Sequence, residues 1–357
     1  MIHEDVFEMN VAKAMHRIED LYNKTGGDCY LSFSGGKDST IVLGVLKLCE
    51  ELGTIPKNAI PAVFCDTKIE LGATYDFVKW VQAEWYGNVQ IIKPEMLFPH
   101  VLKKYGKPIR SKLKSKALSD YQNKPWTAQA KYLYDDAVNK SKRFRLANKD
   151  FHFIHEDFNI TSSAECCNQM KKQPFKRYAE QHGIQGYLTG MRMSEGGARA
   201  LEYEMAVKAG KPPCTKIKGK YTIKSPIIDW TDEMCDIFVD IYDIPLSRAY
   251  TEYGLTRTGC FCCPFAPDID SNLENLFRNE PNRYKAALFY LKDVYIAQGV
   301  ELPFDAEYMA EYTEKWKEYE VMRYKMLKKY RPNCRLVQQY EKSQEQPEYT
   351  QLALDMG

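Results

Sequence analysis

The run Tyr30-Leu31-Ser32-Phe33, followed at once by Ser34-Gly35-Gly36-Lys37-Asp38-Ser39, constrains the fold of this chain more than any other stretch. The apolar run reads as a strand. The two glycines let backbone approach an anion closely. The serines and Lys37 add donors, so Ser32, Ser34, Gly35, Gly36, Lys37, Asp38 and Ser39 form a candidate phosphate cradle. Thr40 to Leu48 then shows helical apolar spacing, so the loop feeds a helix N-terminus. Such a terminus carries free N–H groups and the positive end of a dipole. An ordinary Gly-Gly turn between strand and helix is the plain alternative, and it leaves the flanking Ser, Lys, Asp and Ser unexplained.

Spacing along the chain predicts a helix over 5–24, strand 29–33, helix 39–52, strand 60–65, helix 73–85 and strand 89–93. Strand and helix alternating at this interval give an α/β fold: a parallel twisted sheet flanked by helices, Rossmann-like, with right-handed crossovers. Ligands of such sheets bind at strand C-terminal ends near a switch point, and both the cradle and Asp66 sit at such ends. Alternation resumes at Tyr187-Leu188-Thr189-Gly190. The expected organisation is an N-terminal helix (1–27), a nucleotide-binding domain (28–267), a helical C-terminal region (268–340) and a polar, disordered tail (341–357).

The chain has 357 residues and a net charge of +2, with 44% apolar and 13% aromatic residues, enough for a full core. Charge is uneven: residues 101–150 hold fourteen Lys/Arg against four Asp/Glu. With Tyr105, Trp126, Tyr132, Tyr134 and Phe144 interleaved, this basic insert reads either as a solvated helical cover or as a surface for a nucleic-acid acceptor. No apolar run is long enough for a membrane span, and the first residues, Met1 to Asp5, lack a secretory pattern. A cytoplasmic location follows as an expectation. The helical region 280–330 leaves room for homo-oligomer contacts.

Eleven cysteines, an odd number, argue against a disulfide framework. Cys166 and Cys167 are adjacent. Cys260 and Cys263 form a Cys-x-x-Cys pair with Cys262 between them. Four thiolates suit tetrahedral zinc or a [4Fe–4S] cluster, and spacing alone does not choose. Adjacent cysteines are unusual in structural zinc sites. Cys29, Cys49, Cys65, Cys214, Cys235 and Cys334 read as small buried hydrophobes.

The cradle resembles the PP-loop of the N-type ATP pyrophosphatases. That resemblance implies ATP gripped by its pyrophosphate end and Asp38 helping to hold Mg²⁺. The order of cradle, Cys-Cys and Cys-x-x-Cys resembles the phosphoadenosine phosphosulfate (PAPS) reductase, or sulfonucleotide reductase, family. Val63-Phe-Cys-Asp-Thr-Lys-Ile-Glu70, Leu188-Thr-Gly-Met-Arg192 with Ser194, Glu195 and Arg199, and Arg257-Thr-Gly-Cys260 extend the likeness. It implies an adenine nucleotide alpha hydrolase-like fold and a [4Fe–4S] cluster on Cys166, Cys167, Cys260 and Cys263. It implies Asp66, Thr67, Glu70 and Gly190 at the nucleotide. Arg192 and Arg199 would be forks for anionic oxygens, catalytic together with Lys37 and Asp38. Lys171 and Lys172 could face thiolates or simply solvent.

Two departures steer the functional expectation. The family's reductases carry a C-terminal cysteine in a Glu-Cys-Gly-(Ile/Leu)-His setting. Residues 339–357 here hold neither Cys nor His, and Cys334 lacks that setting. The cradle is also the full form of ATP users. The leading expectation is an enzyme that binds ATP, or a related adenine nucleotide, and adenylates an acceptor in sulfur transfer, releasing pyrophosphate and drawing on a sulfur donor protein. The DNA phosphorothioation enzyme and phage-type homologues are the relatives of this kind. The alternatives are a reductase of adenylylsulfate or phosphoadenylylsulfate that makes sulfite, and a nucleic-acid-binding accessory protein.

Overall fold

In the computed structural model, residues 3–135, 145–300 and 302 are described, with 321, 324, 325, 328, 337, 338, 340 and 341; the side chains of 197–199 are not. Cys334, Lys142, Arg143, the tail beyond 341 and nearly all of 301–340 therefore lie outside the described residues. Two compact units emerge. One joins residues up to Phe98 with Cys167–Cys260; the other joins Pro99–Cys166 with the described residues from Phe261 onward.

The chain begins with helix α1 (Glu4–Lys24), strand β1 (Cys29–Phe33) and helix α2 (Lys37–Glu51). Strand β2 (Ala62–Cys65), helix α3 (Gly72–Trp80) and strand β3 (Val89–Ile92) follow. Helix α4 (Phe98–Tyr105) leads into the second unit, which continues through α5 (Lys112–Asn123) and α6 (Ala128–Lys131). The first unit resumes with α7 (Gln173–Gln181), β4 (Gly186–Leu188), α8 (Gly197–Lys208), β5 (Thr215–Lys218), β6 (Tyr221–Lys224), α9 (Asp232–Ile241) and α10 (Arg248–Thr251). Helices α11 (Ile269–Asn279) and α12 (Pro281–Gln298) belong to the second.

The six strands of the first unit form one sheet in the order β3-β2-β1-β4-β6-β5. All neighbours are parallel except the edge pair β5–β6. β1 lies centrally, pairing Leu31 with Ala62 on one side and Cys29 with Gly186 on the other. It is buried on both faces, which explains an apolar run without alternation. The strand order reverses between β1 and β4, so the loops after these two strands open a crevice between them.

α2 is buried almost all round, from Ser39 to Leu46. Its mid-helix glycine is a packing device: a Cβ on Gly44 would lie 2.5 Å from Ile244 Cδ1. The predicted helix 39–52 begins two residues earlier, so Lys37 and Asp38 belong to its first turn. Gly36, extended, is the N-cap and offers no side chain of its own. The predicted helix 73–85 ends at Trp80 and continues as one wider turn, Val81–Trp85. The β5–β6 hairpin was not among the expected elements. Its signal was present: Thr-Lys-Ile-Lys and Tyr-Thr-Ile-Lys flank Gly219-Lys220, and Gly219 has φ +59°.

In the second unit, Ile109, Leu118, Leu133, Phe153 and Ala297 share one core. Lys107 pairs with Asp293 at 2.7 Å, and His152 Nε2 lies 2.7 Å from the Ala297 carbonyl. The described residues of 101–150 thus share an apolar centre with Phe153 and Ala297. No described helix is long and apolar enough to cross a membrane.

Arg17 of α1 grips the segment after β6. Its two terminal nitrogens each donate to an Asp229 oxygen at 2.7 Å, and Nη1 also donates to the Pro226 carbonyl at 2.7 Å. Burial opposes ionisation of Asp229, but the Arg17 hydrogen bonds outweigh it and hold the carboxyl below its usual range. A depressed native value gives stability above the ordinary carboxylate pKa, lost as pH falls through the native one. Asp229→Asn should therefore cost about 1–2 kcal/mol at pH 7 in urea unfolding. The difference from wild type should shrink towards pH 3.

Candidate active site

The cradle is built by its own hydroxyls. Gly35 turns the chain with φ +70°, and a Cβ there would lie 2.9 Å from Val78 Cγ2. Ser39 Oγ donates to the Gly36 carbonyl at 2.9 Å and accepts from the Ser34 amide at 3.2 Å. Ser34 Oγ is 3.0 Å from Ser39 Oγ and accepts from the Gly36 amide at 3.3 Å. Thr40 Oγ1 also donates to the Gly36 carbonyl, at 3.0 Å. These contacts hold the loop rigid before any ligand arrives, which lowers the entropy cost of binding.

The opposite wall is the turn after β4. A Cβ on Gly190 would stand 2.8 Å from Asp38 C and Ser39 N, so this turn rests directly on the first turn of α2. Arg192 then reaches across: Nε donates to Asp38 Oδ1 at 2.8 Å, and Nη1 donates to Asp232 Oδ1 at 2.7 Å and Ser194 Oγ at 2.8 Å. Glu195 returns a carboxylate oxygen to the Arg192 amide at 3.2 Å. Burial opposes the Arg192 charge, yet Cys235, Asp38 and Asp232 raise its pKa further, so it is cationic throughout. Lys37 Nζ lies 3.0 Å from Asp236 Oδ1. Burial lowers the Lys37 pKa, Asp236 outweighs it, and the ammonium persists above its usual range.

Together these walls enclose a cleft of about 770 Å³, closed on a third side by the segment Leu246–Thr258. Ser32, Ser34, Gly36, Lys37, Asp38, Ser39, Gly190 and Arg192 all line it. Gly35 shapes the turn behind. Arg199 lies on α8, and its side chain is outside the described residues. Sequence reasoning missed Asp232, Asp236, Tyr250 and Thr258 as cleft residues. The two aspartates carry a signal, since Thr231-Asp232 opens a helix and Asp236 follows one turn later on the same face. Tyr250 and Thr258 carry none.

Asp66, Thr67 and Glu70 are not on the cleft wall. Asp66 pairs with Lys68 at 2.6 Å. Burial pushes its carboxyl up, but the Lys68 contact prevails and holds it below the usual range. Thr67 Oγ1 donates to Glu70 Oε1 at 3.2 Å. That same oxygen meets Lys171 Nζ at 2.7 Å and the Cys260 thiol at 3.7 Å, and the Glu70 and Cys260 backbones form a bridge. Glu70 is thus bonded to the cysteine segment.

None of the ten described cysteines forms a disulfide. Cys167 and Cys260 belong to the first unit, and Cys166, Cys262 and Cys263 to the second. Cys262 is buried, and its carbonyl accepts from the Tyr295 hydroxyl at 2.9 Å. Among the described residues no group of three or more Cys, His, Asp or Glu is gathered to hold a metal ion. The donor chemistry of the four predicted ligands, all thiols, fits a soft iron–sulfur centre better than a hard cation. Burial pushes the Cys65 and Cys235 thiols up to about 12 and Cys29 to about 11, consistent with packing roles.

Residues 128–266 match the family model of the phosphoadenosine phosphosulfate reductase domain. The family resemblance read from the motifs is borne out over this stretch, which includes Cys166, Cys167, Gly190, Arg192, Cys260 and Cys263. Similar solved structures include the following two. The phosphoadenylyl-sulfate (PAPS) reductase from Candida auris, in a phosphate complex, is 14% identical, with 73% of this chain and 96% of that chain covered and a TM-score of 0.41. The U34-tRNA thiolase NcsA from Methanococcus maripaludis, with its [4Fe–4S] cluster, is 11% identical, with 83% and 81% covered and a TM-score of 0.35. No curated protein matches the chain.

Gly190→Ala should force the β4 turn off the α2 backbone, because neither neighbour is a flexible side-chain end. The expected outcome is an overpacking cost of about 1–3 kcal/mol in stability, read by urea unfolding.

Proposed function

We propose that this chain binds ATP in the β1–β4 cleft and transfers the adenylyl group to an acceptor, releasing pyrophosphate, as the activating step of a sulfur transfer. The observation that supports this most is the cradle itself: a pre-set loop, the Lys37 ammonium and a helix N-terminus stand opposite a turn whose arginine is already committed to carboxylates. Loop amides and Lys37 suit the pyrophosphate end of a nucleotide. Arg192 spends its fork on Asp38 and Asp232, so it positions these carboxylates. Asp38 would hold Mg²⁺, a hard cation that takes one or two protein carboxylates plus phosphate oxygens. In the step proposed, an acceptor heteroatom forms a bond to the α-phosphorus while the bond to the β-phosphate oxygen breaks. Lys37 and the α2 terminus stabilise the charge that develops on the departing pyrophosphate.

Cys166, Cys167, Cys260 and Cys263 would ligate a [4Fe–4S] cluster, which when bound supplies a thiophilic or one-electron centre. Lys171, ion-paired with Glu70 beside Cys260, would offset thiolate charge there. We place this chemistry in a reducing, cytoplasmic setting, in keeping with ten described cysteines that form no disulfide. Anaerobically purified protein should contain iron and sulfide. It should bind ATP in preference to adenylylsulfate, and Lys37→Ala should weaken ATP binding about 10- to 100-fold. Absence of ATP binding, with no pyrophosphate or AMP formed from any acceptor, would refute the proposal.

A second reading rests on α5. Lys112, Lys114 and Lys116 crowd its first turns, where no acid offsets the positive dipole end. Burial outweighs the opposing pull of Asp150 and, with smaller contributions from Arg110 and Lys149, holds Lys114 below its usual range. Such uncompensated charge suits a nucleic-acid acceptor, and Trp126 is 72% exposed for stacking. Replacing the three lysines by Gln should lower the salt slope of single-stranded DNA or tRNA binding by about 2–3. An unchanged slope would leave the stretch as a solvated cover.

A further inference from the structure

The amide of Lys37 is one of the free N–H groups that a phosphate would be expected to take. In this structure it already has a partner: it donates to the Tyr250 hydroxyl at 3.0 Å, across 213 residues of sequence. Tyr250 Oη is in turn 3.0 Å from Thr258 Oγ1. The two hydroxyls lean over the cradle. A Cβ on Gly36 would lie 2.9 Å from Thr258 Oγ1 and 3.2 Å from both Tyr250 Oη and Ser34 Oγ. Gly36 is thus needed to admit them, whatever else it admits.

We infer that Tyr250 is an occupancy-sensing residue of the nucleotide site: its hydroxyl holds the place of a phosphate oxygen on the Lys37 amide, and an incoming pyrophosphate group displaces it. The inference rests on the reading of this cleft as a site for a nucleotide's pyrophosphate, and extends it to what filling the site does. Tyr250 ends no separate loop. From α10 the chain runs through Thr258 and Gly259 to Cys260, whose backbone is bridged to Glu70. Displacing the Tyr250 hydroxyl breaks its hydrogen bond with the Lys37 amide, the link through which Thr258 is tied to the cradle. The segment between α10 and Cys260 then loses its tie to the cradle, while the Arg257–Glu195 pair and the Glu70 bridge remain. Occupancy of the cradle would in this way reach the first cysteine of the Cys-x-x-Cys pair without any contact between nucleotide and thiol. The coupling is reciprocal, as linkage requires.

Tyr250 is a positioning residue, and a purely structural role predicts the opposite sign of effect. Tyr250→Phe keeps the ring and deletes only the competing hydroxyl. Pyrophosphate should bind this variant about three- to tenfold tighter than wild type, the value of one intramolecular hydrogen bond no longer broken on binding. The second readout is amide hydrogen exchange of residues 250–260 in the full chain. Saturating pyrophosphate should speed exchange there by at least threefold in wild type, whereas in Tyr250→Phe exchange should already be fast and respond little. Gly36→Ala, which crowds both hydroxyls, serves as the companion variant and should also speed exchange in 250–260 without ligand. If wild type binds pyrophosphate and Tyr250→Phe binds it equally or more weakly, or if exchange in 250–260 slows on binding, the inference is overturned and the reading of the cleft survives. If wild type binds neither ATP nor pyrophosphate, both fall together.

Discussion

The contact between the Gly190 backbone and the first turn of α2 is the constraint on which the cleft depends. It brings the turns that follow two strands, 152 residues apart from Asp38 to Gly190, into backbone contact with no side chain between them. Only then can Arg192 reach Asp38 and Asp232 at once, and only then do those carboxylates face Lys37 across a shared opening. The ion pairs do not make the approach. They exploit it, and because Arg192 is buried they add direction more than net stability.

The cleft is therefore electrostatically mixed. A simple anion trap would present unopposed cations. Here Lys37 and Arg192 are each matched by carboxylates, Asp236 for the first and Asp38 with Asp232 for the second. Such a balance suits a ligand that brings both negative oxygens and a divalent cation, since neither charge then enters uncompensated.

Much of this was legible in the sequence, for a physical reason. β1 is buried on both faces, so it must be an apolar run, and the loop after it must carry small and hydroxylated residues in order. Those are local requirements, and Ser34 to Ser39 shows them openly. The same holds for the Gly190–Arg192 turn. What stayed hidden was long-range. Tyr250 and Thr258 enter the cradle by packing, and a tyrosine on a four-residue helix has no pattern to betray it. Glu70 belongs to a motif, yet its carboxylate meets Lys171 and Cys260 and does not line the cleft. The start of β4 was legible at Tyr187-Leu188, whereas the β5–β6 hairpin escaped because its exposed lysines mask alternation.

The buried thiols have a practical corollary. Cys29, Cys49, Cys65 and Cys235 sit within the first unit's core, and burial keeps them protonated far above neutral pH. An alkylating reagent consumes thiolate, so at neutral pH these four are chemically silent. Reagent uptake by the folded chain would then count only the remainder, among them Cys166, Cys167, Cys260 and Cys263. With those four silent, the change in reagent uptake when a ligand is added reads how many of the remaining thiols it protects.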